Sequence, residues 1–136
     1  MDRRSIRSIL APPPPAAASP GVSAGRFVFV SAQLPIDVHG ELVGATAAEQ
    51  AAGALDNLAH QLRSAGLSLD DVVSLEIHLV DQADTAAVDS VLESRFTRPY
   101  PAVTLSGVPS VSFTHLTPPT ISPVYISVAA VALQKK

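Results

Sequence analysis

The chain has 136 residues, of which 47% are apolar and 15% charged, with a formal net charge of -3 and no cysteine. That size and composition suit one globular domain with a real core and exclude disordered and fibrous classes. Disulfides, thiolate nucleophiles and thiolate zinc sites are excluded outright, and the four dispersed histidines have no paired ligand spacing, so no metal is expected.

The nine Lys and Arg residues are scattered apart from Arg3, Arg4 and Arg7. They form no basic stripe for a phosphate backbone, and nucleic acid is not expected as a partner. No stretch approaches the roughly 18 uninterrupted apolar residues of a spanning helix. Before the proline run there is no apolar segment long enough for a secretory signal; a transit peptide is the alternative reading of the early arginines. A soluble cytoplasmic protein without a membrane partner is expected.

Residues 1–20 hold five of the twelve prolines, and Pro12 to Pro15 favour polyproline II, which has no internal hydrogen bonds. They read as a flexible Pro/Ala-rich arm, with a single domain over 21–136. Phe27-Val28-Phe29-Val30 is an apolar β-type run that ends in Ser31-Ala32-Gln33-Leu34-Pro35. Period two puts Ser31 and Gln33 on one face of this strand, where they either anchor a small ligand or tie down a turn. A hairpin is expected around Asp37-Val38-His39-Gly40, with Glu41-Leu42-Val43 as its returning strand.

Thr46-Ala47-Ala48-Glu49 matches a capping box and opens a helix to about Ala65. Leu55, Leu58, Ala59 and Leu62 form one apolar stripe, and Gly66 stands where a left-handed cap is wanted. In Val73 to Leu79, apolar residues alternate with Ser74, Glu76 and His78, the pattern of a strand with one face on the core. A second helix spans about Asp84 to Phe96, with Val88, Val91, Leu92 and Phe96 on one side, and Pro99 prevents its continuation. Two strands follow, Ala102 to Val108 and Val124 to Leu133; the latter is apolar on both parities, as in a strand covered on both faces. Pro109 to Pro123 is a loop rich in Ser, Thr and Pro. The order β-β-α-β-α-β-β describes an α+β sheet with two helices on one face.

From about Gly25 to Leu133 the chain resembles the Rid (reactive intermediate deaminase), or YjgF, family. The likeness rests on Ser31-Ala32-Gln33, Ala54-Leu55-Asp56-Asn57-Leu58, Ala65-Gly66-Leu67, Asp70-Asp71-Val72-Val73, Asp81, Asp84, Val88 and Pro101-Ala102, in that order and spacing. The resemblance implies a chorismate-mutase-like fold and a homotrimer with ligand sites in clefts between subunits. It further implies hydrolysis of enamines and imines released by pyridoxal-phosphate enzymes, with neither metal nor cofactor.

Most positions that carry that chemistry are changed. Val103 stands after Pro101-Ala102 where the family has an arginine that forks onto a substrate carboxylate, a contact no valine can imitate. The family's water-positioning glutamate corresponds to Tyr125 or Ser127, according to where the gap in the preceding loop is placed. Its asparagine corresponds to Asp89, its glycine to Ala32 and its amino-terminal tyrosine to Ala18.

The candidate catalytic residues are accordingly Asp89 as acid or base, Tyr125 and Ser127 as donors to a developing oxyanion, and His115 as a proton carrier in the long loop. Ser31, Gln33, Val103, Leu105 and Arg98 are the candidate substrate contacts, Arg98 as a possible substitute for the missing clamp. Each has a plainer structural reading: an exposed helix aspartate, a satisfied buried tyrosine, a solvated loop histidine or a solvent-facing arginine. Three functions are compatible with this pattern. One is a cofactor-free enzyme acting on a less anionic intermediate; the others are an imine deaminase of the usual type and a non-catalytic binding or scaffold protein.

Overall fold

The computed structural model describes residues 2–13, 17–109 and 126–134. Its elements in chain order are β1 (Arg3–Ile6), β2 (Gly21–Ala24), β3 (Phe27–Gln33), α1 (Ala47–Ser64), β4 (Val72–Leu79), α2 (Thr85–Arg95), β5 (Ala102–Gly107) and β6 (Ile126–Leu133). One mixed six-stranded sheet runs β1-β2-β3-β6-β4-β5, with only the β4/β5 pair parallel. This is the expected α+β class. The last strand is inserted between β3 and β4 and makes the centre of the sheet.

The core lies between one sheet face and the helices. Val28 and Val30 of β3, Leu75, Ile77 and Leu79 of β4, and Ile126, Val128, Ala130 and Ala132 of β6 point into it. From α1 come Ala51, Ala54, Leu55, Leu58 and Leu62, so three members of the expected stripe lie on the buried face of this helix, while Ala59 is half-buried at its edge. The second helix packs on α1 and contributes Val88, with Phe96 just beyond its end.

Local chemistry sets both ends of α1. The Thr46 hydroxyl accepts from Glu49 N–H (3.1 Å), and the Glu49 carboxylate accepts from Ala45 N–H (2.8 Å) and Thr46 N–H (3.2 Å). At the other end Gly66 adopts φ +78, while Gly66 N–H donates to Arg63 O and Leu67 N–H to Leu62 O. These two bonds are the Schellman arrangement, which satisfies carbonyls the helix leaves open.

The donors from Ala45 and then Thr46 hold the Glu49 carboxyl below its usual value. A depressed value means that the ionised form stabilises the fold above the unfolded value of 4.5, and that this stabilisation is lost as pH falls through the folded one. Glu49→Gln should therefore unfold more readily than wild type at pH 7, and the two thermal midpoints should converge as pH falls through the depressed folded value. A constant gap across that range would contradict the assignment. Thr46→Ala should cost about 1 kcal/mol in denaturant unfolding.

Three local expectations are corrected. The return strand Glu41-Leu42-Val43 does not form; this segment contributes one bridge, Ile36 to Leu42. Asp37 instead folds the turn on itself, its Oδ1 accepting from Glu41 N–H (3.0 Å) and His39 N–H (2.8 Å). The first tight hairpin is β2/β3, joined at Gly25-Arg26 with Gly25 at φ +61.

A further strand, β1, lies within the stretch read as an arm. The proline run starts only at Pro12, so Arg3–Ile6 keep their backbone donors for pairing with β2, and Ile6 is buried in the core. In β4, finally, the register slips between Val72 and Ser74. The extra residue of this bulge reverses the parity, burying Val72 and turning Val73 outward.

Candidate functional site

Between α2 and the edge strand β5 lies a groove of about 280 Å³, lined by Leu75, Asp89, Leu92, Glu93, Phe96, Tyr100, Pro101 and Val103. Asp89, Leu92, Glu93 and Phe96 recur at i, i+3, i+4 and i+7, a single face along the second half of α2 and the residue beyond it. Val103 comes from the opposite wall. It stands beside Leu75 in the parallel β4/β5 register, on the helix side of the sheet, and is 44% exposed.

A second groove, about 330 Å³, adjoins the first along Phe96, Tyr100 and Pro101 and adds Asp70, Thr97, Arg98 and Pro99. Arg98 belongs to this second groove. Its guanidinium lies 5.2 Å from the centroid of the Tyr100 ring, a cation–π distance that holds it on the far side of the shared wall. Arg95, the last residue of α2, is engaged by Asp56 of α1 at 2.7 Å. The described lining of the first groove thus carries two carboxylates, and its neighbouring bases are directed elsewhere.

Two of the expected site residues, Asp89 and Val103, are therefore brought together. The others are distributed as follows. Leu105 shares the face of Val103 but is half-buried against the core and does not line the groove. Ser31 lies on the opposite, helix-free face of the sheet, where its hydroxyl donates to Pro20 O (2.9 Å). Ser127 is on that helix-free face as well, paired with His78 of β4 and 5% exposed; His78 Nε2 sits 3.4 Å from Glu76 Oε2. Tyr125 and His115 lie outside the described residues.

The expectation that Ser31 and Gln33 share a face is corrected. Val30 pairs with Ala130 and Gln33 with Val128, three residues against two, so a bulge falls between them. Opposed residues of antiparallel strands share a face, and Gln33 therefore turns to the core side. It is 5% exposed, with its amide donating to Ser31 O at 3.1 Å.

Sequence reasoning missed Glu93 and Tyr100. The i, i+4 spacing from Asp89 carried the signal for Glu93, and no local pattern marked Tyr100. Asn57, noted only as part of a motif, does not line the groove; its side-chain amide donates to Leu34 O and Ile36 O, both at 2.8 Å, fixing the chain after β3. Among the described residues no group of three or more His, Cys, Asp or Glu side chains is arranged for a metal ion, and no helix is long and apolar enough to cross a membrane.

Comparison with known proteins agrees with this architecture. Residues 8–117 match the family model described as Endoribonuclease L-PSP. A "RutC family protein" of Pyrococcus abyssi is 37% identical over 103 residues, covering 75% of this chain and 81% of that protein. The "3-aminoacrylate deaminase RutC" of Acinetobacter baylyi is 38% identical over 92 residues, 67% of this chain and 73% of that one. Among solved structures, the YjgF gene product of E. coli superposes with a TM-score of 0.82 at 27% identity, covering 97% of this chain and 99% of that chain. A match over most of the chain, at the level of fold and of sequence, is what common descent leaves behind: the chain belongs to the Endoribonuclease L-PSP family, the Rid/YjgF proteins its sequence resembles.

Proposed function

We propose that this chain is a cofactor-free enzyme acting on a small, neutral or weakly anionic reactive intermediate, by hydrolysis, addition, isomerisation or cyclisation. The observation that carries the reading is the wall at Val103. Where the family resemblance calls for a guanidinium, an isopropyl group faces the groove, and the described lining includes no basic side chain. A substrate carboxylate entering there would lose its hydration and meet Asp89 and Glu93, a like-charge encounter without a compensating donor. A polar but uncharged substrate meets no such penalty. Asp89, at the groove and exposed, is the residue we assign to proton transfer.

Ser31 and Ser127 occupy the helix-free face, so one copy of the chain does not gather all the candidates. Assembly into a homotrimer in the cytoplasm completes the reading, with a second subunit closing each cleft. Support for association comes from that face itself: Phe27 and Phe29 are 45% and 47% exposed, with their ring centroids 6.2 Å apart. Exposed aromatic pairs of this kind mark a surface that another chain covers. Light scattering at micromolar concentration should give three times the monomer mass, and Phe29→Glu should shift the distribution toward monomer. A monodisperse monomeric wild type would refute the assembly.

A second reading is an ordinary imine deaminase, favoured by the identity to a protein named as a 3-aminoacrylate deaminase. It requires Arg98 to leave Tyr100 and take the role of the clamp. Steady-state hydrolysis of 2-iminobutanoate decides between the two. Negligible wild-type turnover agrees with the first reading; efficient turnover that Arg98→Ala abolishes establishes the second.

A further inference from the structure

We infer that Ser127, His78 and Glu76 form a second, nucleophilic site on the helix-free face of the sheet, one that takes acyl groups from small uncharged esters. The three side chains share that face, His78 directly opposite Ser127 in the β4/β6 register and Glu76 two residues before His78 on the same strand. His78 Nε2 sits 3.4 Å from Glu76 Oε2, so the carboxylate keeps the ring proton on Nε2 and leaves the lone pair on Nδ1. Nδ1 is shut off from solvent and has no hydrogen-bond partner. A buried acceptor left open is costly. The hydroxyl paired with it in register is that of Ser127, a buried residue that itself makes no side-chain hydrogen bond among the described residues.

Directly opposed residues of antiparallel strands hold their Cβ atoms roughly 4.5–5.5 Å apart, within the span of a serine and a histidine side chain. A turn about the Ser127 Cα–Cβ bond therefore satisfies both groups at once, with Oγ–H donating to Nδ1. A hydroxyl held by an imidazole that a carboxylate orients is the arrangement that activates serine as a nucleophile. The other neighbours of the pair on this face, Thr104 and Ser106 of β5 and Ala129 of β6, carry no charge. Glu76 is thus the charged group beside the site, and it turns carboxylates away. The exposed aromatic pair lies at the other end of the same face, where Phe29 pairs with Val131, about 13 Å along β6 from Ser127. A chain that covers the aromatic end need not cover the polar one. In the reaction Ser127 Oγ attacks the ester carbonyl carbon as its proton passes to Nδ1. The bond from that carbon to the alkoxy oxygen then breaks, and the departing alcohol takes the proton from Nδ1. Water repeats the sequence on the acyl-serine, releasing the acid and restoring Ser127. None of the three residues lines the α2/β5 groove, whose selectivity does not depend on them.

The probe is 4-nitrophenyl acetate, an activated uncharged ester, at pH 7, with nitrophenolate release followed by stopped flow and the acetylated position found by peptide mapping. Wild type should release one nitrophenolate per chain in a burst, and the acetyl group should map to Ser127. Ser127→Ala should keep the wild-type thermal midpoint and lose both the burst and the label. His78→Gln should slow the labelling about 100-fold. A wild type that carries no acetyl on Ser127, whether unlabelled or labelled only at lysines or the amino terminus, overturns the inference. So does a Ser127 label that forms equally fast in His78→Gln. Either result leaves the Val103 groove and the reading built on it untouched.

Discussion

Val103→Arg should give this protein a measurable affinity for carboxylate substrates that the wild type lacks. A charge-assisted contact of this kind contributes about 1.5–3 kcal/mol, or one to two decades in binding. Val103 is exposed and lines the groove, so a longer side chain extends into open space and the fold should change by less than about 0.5 kcal/mol.

The new guanidinium would arrive beside Asp89 and Glu93, which compete with the substrate for it. Combining Val103→Arg with Asp89→Asn should consequently bind 2-iminobutanoate analogues more tightly than Val103→Arg alone. Comparison of the dissociation constants of the saturated carboxylate for the wild type and the two variants checks this. Equal constants for all three would show that Val103 does not face the substrate, and the proposed cleft would be wrong.

The largest expected effect on stability is at Asn57. It is 6% exposed on α1 and holds two main-chain carbonyls, Leu34 O and Ile36 O, with one amide. Those carbonyls belong to a segment whose side chains, Leu34 and Ile36, form a small apolar cluster with Leu42, Val80 and Val108. The buried segment leaves solvent little access to these oxygens.

Asn57→Ala removes both donors at once, and a buried polar group left unsatisfied costs about 1–3 kcal/mol. We expect a loss of about 2–4 kcal/mol, a fall in thermal midpoint of roughly 7–14 °C for a domain of this size. Asn57→Asp should fall at least as far, because a carboxylate cannot donate to either oxygen and meets both with like charge. Measurements belong at one protein concentration, since association shifts the midpoint by mass action. A midpoint within about 2 °C of wild type for both variants would mean that water or another donor replaces the amide.

How legible the molecule was depended on the range of the interactions involved. The first helix was readable in full, from the Thr46/Glu49 capping box through the Leu55-Leu58-Leu62 stripe to Gly66, because the contacts that set its ends and the steps of its stripe each span five residues or fewer. The alternation of β4 from Leu75 to Leu79 was readable for the same reason, as was the end of α2 before Pro99. The hairpin expected at Asp37 to Gly40 failed although its turn chemistry was present. Asp37 and Gly40 do form a turn, but the strand partner of β3 on that side is β6, some hundred residues away in sequence.

The residues of the candidate site divide along the same line. Val103 and Asp89 were identifiable one by one, the first as a departure from a family position and the second as a correspondence to one. That they share a groove with Glu93 and Tyr100 follows from the parallel pairing of β5 with β4 and from the seat of α2 above it. Period two puts Gln33 on the wrong face because it holds only while the register does, and a bulge opposite Ala130 and Val128 interrupts it. Helix ends and local periodicity were thus written in neighbouring residues, which satisfy one another's hydrogen bonds. Strand order, bulge positions and the meeting of two carboxylates with an aliphatic wall were decided only in the folded sheet, since each depends on partners that the chain brings close by folding.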